Sequence, residues 1–529
     1  MKNKISSKIT DYNETILSEI ETLKTKNLIN GYLGNKGYSI YKNCLSPKII
    51  EFIKKELSIK PIVMGAFVQP IAFPIYMESD KKIYVPRFWG INIFGLPKAI
   101  KISHGESIDL KFKGELRDYQ IAVMDTYLKT IKLGKPEEDN SEGSALIELF
   151  AGAGKTVLSL KIIEQIKKKT IIFVHKTFLK NQWIERINQY LPGARVGTIQ
   201  GQVIDIDDKD IVIAMIQSIS MKSYPDSLFD GFGLSIYDEC HHISSETFSN
   251  CLKKCTTLYG LGISATMNRK DGLTHVFKMY LGQICNTVSN KQDQDDVLVK
   301  AIDYVVLDDD EHNNEERDFK GNLKYSTMLS KVSKLGFRCD FIINVIENEL
   351  KINKDQQIIL LGHQKNLLNY IFKEVEARNI TSVGYYVGGM KEKDLKISET
   401  KQLILATYAM AAEALDIPSL TTLILATPKS DIVQSVGRIL RTKHKQPLII
   451  DIIDQHDCFL NQFNKRKTFY NEKKYKIIRT NNDKYIDYIK YVRAGVAFDE
   501  TQIWKEIIPK TRGKSKKTEE EGNKCLIKL

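Results

Sequence analysis

The chain has 529 residues, 42% hydrophobic and 27% charged, with 78 Lys and Arg against 65 Asp and Glu for a formal net charge of +13. That length exceeds what one hydrophobic core organises, so three or four domains or sub-domains are expected. The composition is that of an ordinary soluble globular protein, and no run approaches the ~18–20 apolar residues of a membrane span.

Charged residues interrupt the N-terminus where a signal peptide needs an apolar core. Eight cysteines are scattered from Cys44 to Cys525 without regular spacing, which does not suit a disulfide framework. The chain is therefore read as an intracellular protein with reduced thiols and no membrane partner. Its positive charge favours a polyanion such as nucleic acid.

Residues 1–105 stand apart as an accessory domain. Lys/Glu-rich helical stretches at Glu14 to Lys26 and Ser46 to Glu56 precede "VQPIAFPIYMESDKKIYVPRFWGINIFGLP", whose alternation and prolines predict short strands and turns. Over 106–290 the short runs "SALIELF", "TIIFVH", "DIVIAMI", "LSIYDE" and "YGLGIS" alternate with helical segments. Such runs predict a parallel sheet covered on both faces. Residues 291–330 read as a polar linker around one strand, "VLVKAIDYVVL"; a second α/β pattern fills 331–480. The last segment, 481–529, ends in "KTRGKSKKTEEEGNK", a charge block expected to be a disordered basic tail. The fold class is α/β: two tandem sheet domains with an α+β N-terminal extension.

The first chemistry lies where "SALIELF" runs into "AGAGKTVLSLKIIEQI". A glycine turn between a strand and a helix lets the backbone N–H groups of Gly152, Ala153 and Gly154 close on phosphate oxygens at the helix N-terminus. Lys155 is placed for the β- and γ-phosphates of ATP and Thr156 for Mg2+. Leu149 stands where the full G-x-x-x-x-G-K-T pattern has its first glycine.

The second is "SIYDECHHIS", Ser235 to Ser244, which ends a buried-strand pattern in two carboxylates. Asp238 is assigned to Mg2+ and Glu239 to the general base, because nucleotide hydrolysis needs a metal-holding and a water-polarising carboxylate beside a phosphate loop. Cys240, His241, His242, Cys251 and Cys255 offer a competing zinc reading. They match no C-x2-C or H-x3-H spacing, and Cys251 and Cys255 sit at helical spacing on an apolar face. No zinc is expected.

Taken in order, "AGAGKT", "DECH" and "SAT" (Ser264 to Thr266) resemble motifs I, II and III of helicase superfamily 2. "LATYAMAAEALDIP" is similar to motif V, "QSVGRILR" to motif VI, "LRDYQ" to the adenine-side motif, "FVHKTFLKNQW" to motif Ia and "VIAMIQSI" to the nucleic-acid-contacting motif that follows it. The resemblance spans Lys111 to Tyr475 and implies two RecA-like domains. It assigns Gln434, Arg438 and Arg441 to the transition state, Gln120 to the adenine side and Asp416 to the ribose. His241, Ser264 and Thr266 would couple hydrolysis to movement. His175, Lys176, Thr177, Gln217 and Ser218 would face the nucleic-acid backbone.

"LRDYQ", "SATMNRKDGL" and the absence of H-R-I-G-R-x-x-R look closest to the DExH branch containing XPB, the phage recombination helicase and the poxvirus transcript-release helicase. "VPRFWG" and "DIIDQHDCFLNQFNKRKTFYNEKKY" resemble helicases of large cytoplasmic DNA viruses. The resemblance implies an ATP-driven helicase or translocase, with DNA favoured over RNA, serving viral transcription or repair in the host cytoplasm or the virion. An RNA helicase and an ATP-binding clamp of a transcription complex are the alternatives.

Overall fold

Strands and helices are described by a computed structural model over residues 2–61, 70–133, 143–150, 152–241, 246–267, 269, 271–288, 297–306, 313–413, 417–439 and 446–508. The chain divides into two units, Met1–Lys291 and Gln292–Leu529.

In the first unit the apolar runs form β1 (Ser144–Leu149), β2 (Thr170–Val174), β3 (Val196–Gln200), β4 (Val203–Asp205), β5 (Ile211–Met215), β6 (Leu234–Asp238), β7 (Tyr259–Ser264) and β8 (Ile284–Val288). Their order in the sheet is β4-β3-β5-β2-β6-β7-β1-β8. Every neighbouring pair is parallel except the β3–β4 hairpin. All positions of β2, β5, β6 and β7 are buried, which is why these strands read as continuous apolar runs rather than alternating ones. The chain passes from β1 to β2 across a gap that β6 and β7 later fill. The segments leaving β1, β6 and β7 therefore emerge side by side at the C-terminal edge, where open parallel sheets hold ligands.

The described side chains of residues 1–105, expected as a separate domain, share one hydrophobic core with the rest of this unit; Leu33, Ile40 and Ile83 belong to the same cluster as Leu146 and Ile236. Five short strands form a sheet in the order Met77–Glu78, Lys82–Val85, Gly37–Tyr41, Gly31–Gly34, Ala99–Ile100. The helix Pro47–Glu56 starts from Ser46, whose hydroxyl accepts from Ile49 N at 3.3 Å.

The second unit is another sheet of the same kind: β9 (Leu298–Tyr304), β10 (Gln357–Gly362), β11 (Val383–Tyr386), β12 (Leu403–Thr407), β13 (Leu420–Leu425), β14 (Leu448–Asp454), β15 (Lys476–Asn481) and β16 (Lys505–Glu506), in the order β11-β12-β10-β13-β14-β9-β15-β16. Only β15–β16 is antiparallel. β9, the strand inside the expected linker, lies between β14 and β15 rather than at an edge. The segment after residue 481 also contributes core: the helix Asn482–Ala494 buries Tyr485, Tyr488 and Ile489. Residues 509–529, which carry the expected disordered tail, lie outside the described residues.

Candidate active site

The turn after β1 is built from left-handed backbone, with φ of 84° at Gly152 and 72° at Gly154. At Gly154 a Cβ would also lie 2.6 Å from Gln120 Nε2, so any side chain there would displace that amide. Gly154 caps the helix Lys155–Ile166, whose first-turn N–H groups and dipole face the turn.

Gln120, in the first turn of the helix Asp118–Thr130, grips this turn. Its Nε2 donates to Ala153 O at 2.9 Å and to Gly154 O at 3.3 Å, while its Oε1 accepts from Arg117 N at 2.9 Å. The Tyr119 hydroxyl donates to the same Ala153 carbonyl at 2.9 Å.

β6 delivers the acidic pair. Asp238 is buried; its Oδ2 accepts from Trp183 Nε1 at 2.9 Å and its Oδ1 from Glu239 N at 3.0 Å. Glu239 takes a left-handed backbone (φ 47°), a conformation that costs a non-glycine residue energy and clusters at functional sites. That turn aims its carboxylate at the glycine turn after β1, where Lys155 Nζ lies 3.2 Å from Oε1. Burial opposes ionisation of Glu239, but Lys155, His241 and the hydrogen bonds from Lys155 and Ser264 outweigh it and hold the carboxyl at about 2. Asp238 shifts the other way, raised by burial and by the neighbouring Glu239 charge.

Ser264 ends β7 beside them. Its hydroxyl lies 3.1 Å from Glu239 Oε2, 2.7 Å from His241 Nδ1 and 2.8 Å from Thr266 O, and accepts from Thr266 N at 3.1 Å. One hydroxyl proton serves three acceptors, so the protonation of His241 decides where it goes. Burial holds the His241 imidazole below its usual range, and Arg269 donates to the His241 carbonyl.

The residues expected on the nucleic-acid backbone also come together, after the adjacent strands β2 and β5. Gln217 Nε2 donates to His175 O at 2.6 Å, Gln200 Nε2 to Thr177 Oγ1 at 3.4 Å, and Gly201 N to Ser218 Oγ at 2.8 Å. Lys176 is half-buried, and burial lowers its pKa.

In the second unit, Asp416 and Arg441 lie outside the described residues, as do the side chains of Gln434 and Arg438. The C-terminal edge there carries a cluster that the sequence reading did not single out. His363 N and Nδ1 lie 3.1 and 2.7 Å from Thr427 Oγ1, and the Tyr408 hydroxyl donates to Thr427 O at 2.6 Å. Burial, with Lys429, holds His363 down at about 4.

Sequence reading also missed Trp183, Tyr119 and Arg269. Each stands inside a quoted motif stretch, but a donor to a carboxylate one strand away, or to a carbonyl on another segment, leaves no periodic signal.

The seven described cysteines are free thiols. Cys240 Sγ is 3.7 Å from Met267 Sδ, and burial raises the thiols of Cys240, Cys251 and Cys255. Among the described residues no group of three or more His, Cys, Asp and Glu is placed to hold a metal ion. Mg2+ does not need such a cage: one or two carboxylates, a hydroxyl, waters and phosphate oxygens suffice. Thr156 and Asp238 are hard oxygen donors of that kind.

Residues 113–269 match the family model for the type III restriction enzyme res subunit. A putative ATP-dependent RNA helicase, L396, of Acanthamoeba polyphaga mimivirus is 32% identical over 462 residues, covering 83% of this chain and 85% of that protein. A putative ATP-dependent RNA helicase, QP509L, of African swine fever virus is 26% identical over 438 residues, covering 77% and 81%. Among solved structures, Saccharomyces cerevisiae Dbp5 bound to RNA and ADP BeF3 aligns with a TM-score of 0.48 at 12% identity, covering 72% of this chain and 98% of that one.

Proposed function

Because this chain belongs to helicase superfamily 2 and is an ATP-hydrolysing helicase, we propose that the C-terminal edge of its first sheet hydrolyses ATP to drive movement along DNA. The observation that carries the reading is the continuous chain Lys155–Glu239–Ser264–His241, with Asp238 held beside it. Gly152, Ala153 and Gly154 present backbone N–H groups to the phosphates, Lys155 neutralises the β- and γ-phosphates, and Gln120 and Asp416 serve the adenine and ribose. Thr156 and Asp238 would hold Mg2+, which when bound neutralises phosphate charge and orients the transferred group.

Glu239 is the general base. Its carboxyl, at about 2, is ionised at neutral pH and can orient a water and receive its proton. An arriving phosphate competes for Lys155, so the ion pair opens as the substrate binds and frees Glu239 for that water. Ser264, Thr266 and His241 relay the change, and Gln434, Arg438 and Arg441 stabilise transition-state charge. His175, Lys176, Thr177, Gln217 and Ser218 hold the nucleic-acid backbone. No zinc has a part in the reading.

DNA is favoured by the likeness of "LRDYQ" and "SATMNRKDGL" to the XPB branch, and the viral source of the relatives supports a viral setting, which the reading takes as viral transcription or repair in host cytoplasm or virion. A second reading takes RNA as the track, since the mimivirus and African swine fever virus relatives are described as RNA helicases. ATP turnover titrated with duplex DNA, single-stranded DNA and single-stranded RNA separates them. Stimulation by DNA that RNA does not displace supports the first reading, and preferential stimulation by RNA the second. A rate indifferent to every nucleic acid overturns both.

A further inference from the structure

The N-terminal sheet has an outer face whose chemistry the ATP site does not use. Between residues 31 and 105 there are eleven Lys and Arg against four Asp and Glu, so +7 of the chain's +13 falls in this short region. Strand alternation sorts the side chains. Leu33, Tyr38, Ile40, Ile83 and Val85 enter the core, while the half-buried Tyr32, Tyr41, Lys82 and Tyr84 take the opposite face.

On that face lysines and tyrosines interleave. Tyr41 stands opposite Lys82 in the register. Lys82 Nζ lies 5.1 Å from the Tyr32 ring centre and 4.8 Å from that of Tyr41, and 3.1 Å from the Tyr32 hydroxyl. Lys101, exposed, sits 4.6 Å over Tyr32, and Lys36 sits 5.6 Å over Tyr84. Gly34 lets the Tyr32 ring lie across the hairpin end, since a Cβ there would come within 3.0 Å of it. The nearby carboxylate, Glu78, is already bonded to Lys42 and Lys54, each at 2.8 Å.

The face is also firmly mounted. Asn35 O, beside Lys36, accepts from Thr256 N at 3.0 Å. The buried Arg87 guanidinium donates to the carbonyls of Thr257 and Leu258 at 3.4 and 3.2 Å. The next segment is β7, which ends at Ser264.

We propose that this face binds a single-stranded segment of the nucleic acid, with phosphates on Lys36, Lys82 and Lys101 and unpaired bases against the tyrosines. The proposal rests on the reading above only in taking nucleic acid as the track. Cations and aromatic rings in alternation suit a single strand, which offers phosphates and free base faces together. A duplex hides its base faces, and an acidic peptide has carboxylates but few planar rings to stack.

The test is the affinity of the full chain for a fluorescein-labelled oligo(dT), without nucleotide, over a salt series. In a Lys36→Gln/Lys82→Gln/Lys101→Gln variant the slope of log affinity against log salt should fall by about 2, because each phosphate contact on a single strand contributes about 0.7. Basal ATP turnover should not change. Lys101→Glu alone, at an exposed position, should weaken binding several-fold and covers the case in which the triple variant does not fold. Unchanged affinity and slope in a folded variant overturn the proposal, as does a loss confined to duplex DNA, or a variant that loses poly-glutamate binding but keeps oligo(dT). If the wild-type chain binds no oligonucleotide and none stimulates its ATPase, the helicase reading fails with it. A stimulated wild type with an indistinguishable variant sinks the N-terminal face alone.

Discussion

Lys155 Nζ and Glu239 Oε1 are 3.2 Å apart, so the cation at the start of the helix after β1 and the carboxylate beyond β6 neutralise each other. On the proposed role of Lys155 at the β- and γ-phosphates, Lys155→Ala is expected to lower ATP turnover by about 10²- to 10³-fold or more. Steady-state phosphate release measures it; a variant with wild-type turnover would remove Lys155 from the site.

The same pair sets a pH dependence of stability. Folding lowers the Glu239 carboxyl from 4.5 to about 2. Its contribution is therefore present above the unfolded value and is lost as pH falls through the folded one. Lys155→Ala lacks most of this term, so the gap in melting temperature between wild type and variant should close between about pH 4.5 and pH 2. A gap constant over that window would mean that the ion pair does not hold the fold.

Trp183→Phe tests the support of Asp238. The indole N–H donates to Oδ2 at 2.9 Å, and this bond opposes the upward push of burial on the carboxyl. Without it the buried carboxylate lacks one donor, which costs about 1–3 kcal/mol, and its pKa rises further. The acid limb of the ATPase pH profile should move to higher pH, and more Mg2+ should be needed for half-maximal activity. An unmoved limb would show that the indole bond is not felt in the ionisation of Asp238.

Much of this was legible in the sequence, for physical reasons. Parallel strands buried on both faces must be apolar throughout, so "TIIFV", "DIVIAM" and "LSIYD" announce themselves. A left-handed turn between a strand and a helix needs glycines, so Gly152 and Gly154 do as well. What was hidden depends on strand order. Ser264 reaches Glu239 only because β7 is inserted between β6 and β1, and Trp183 meets Asp238 only because β2 adjoins β6. The core shared by Ile40 and Leu146 escaped notice because a change in composition after residue 105 marks a change of architecture, not a gap in packing.

Ser264→Ala tests the relay. The variant removes the bonds to Glu239, His241 and Thr266 together but leaves Lys155 and both carboxylates in place. Basal ATP turnover should stay within several-fold of wild type, while strand separation per ATP consumed falls by at least tenfold. Measuring both on one partial-duplex substrate decides the matter. A parallel loss of turnover and unwinding would make Ser264 part of the hydrolytic machinery, and no change in either would leave it a structural hydroxyl.

Arg87 tests how the N-terminal sheet is fixed to the rest of its unit. The guanidinium is buried, and burial lowers its pKa to about 10, yet it satisfies main-chain carbonyls at Thr257 and Leu258. Arg87→Ala leaves a cavity and strips those carbonyls of their donor, a combination expected to cost about 3 kcal/mol. Arg87→Met fills most of the volume and should recover part of that loss, because only the polar share remains unmade. Differential scanning calorimetry should show the transition of the first unit lowered by several degrees in Arg87→Ala and by less in Arg87→Met. Equal melting temperatures for wild type and both variants would mean that apolar contacts such as those of Ile40 and Ile83 hold the sheet in place without the guanidinium.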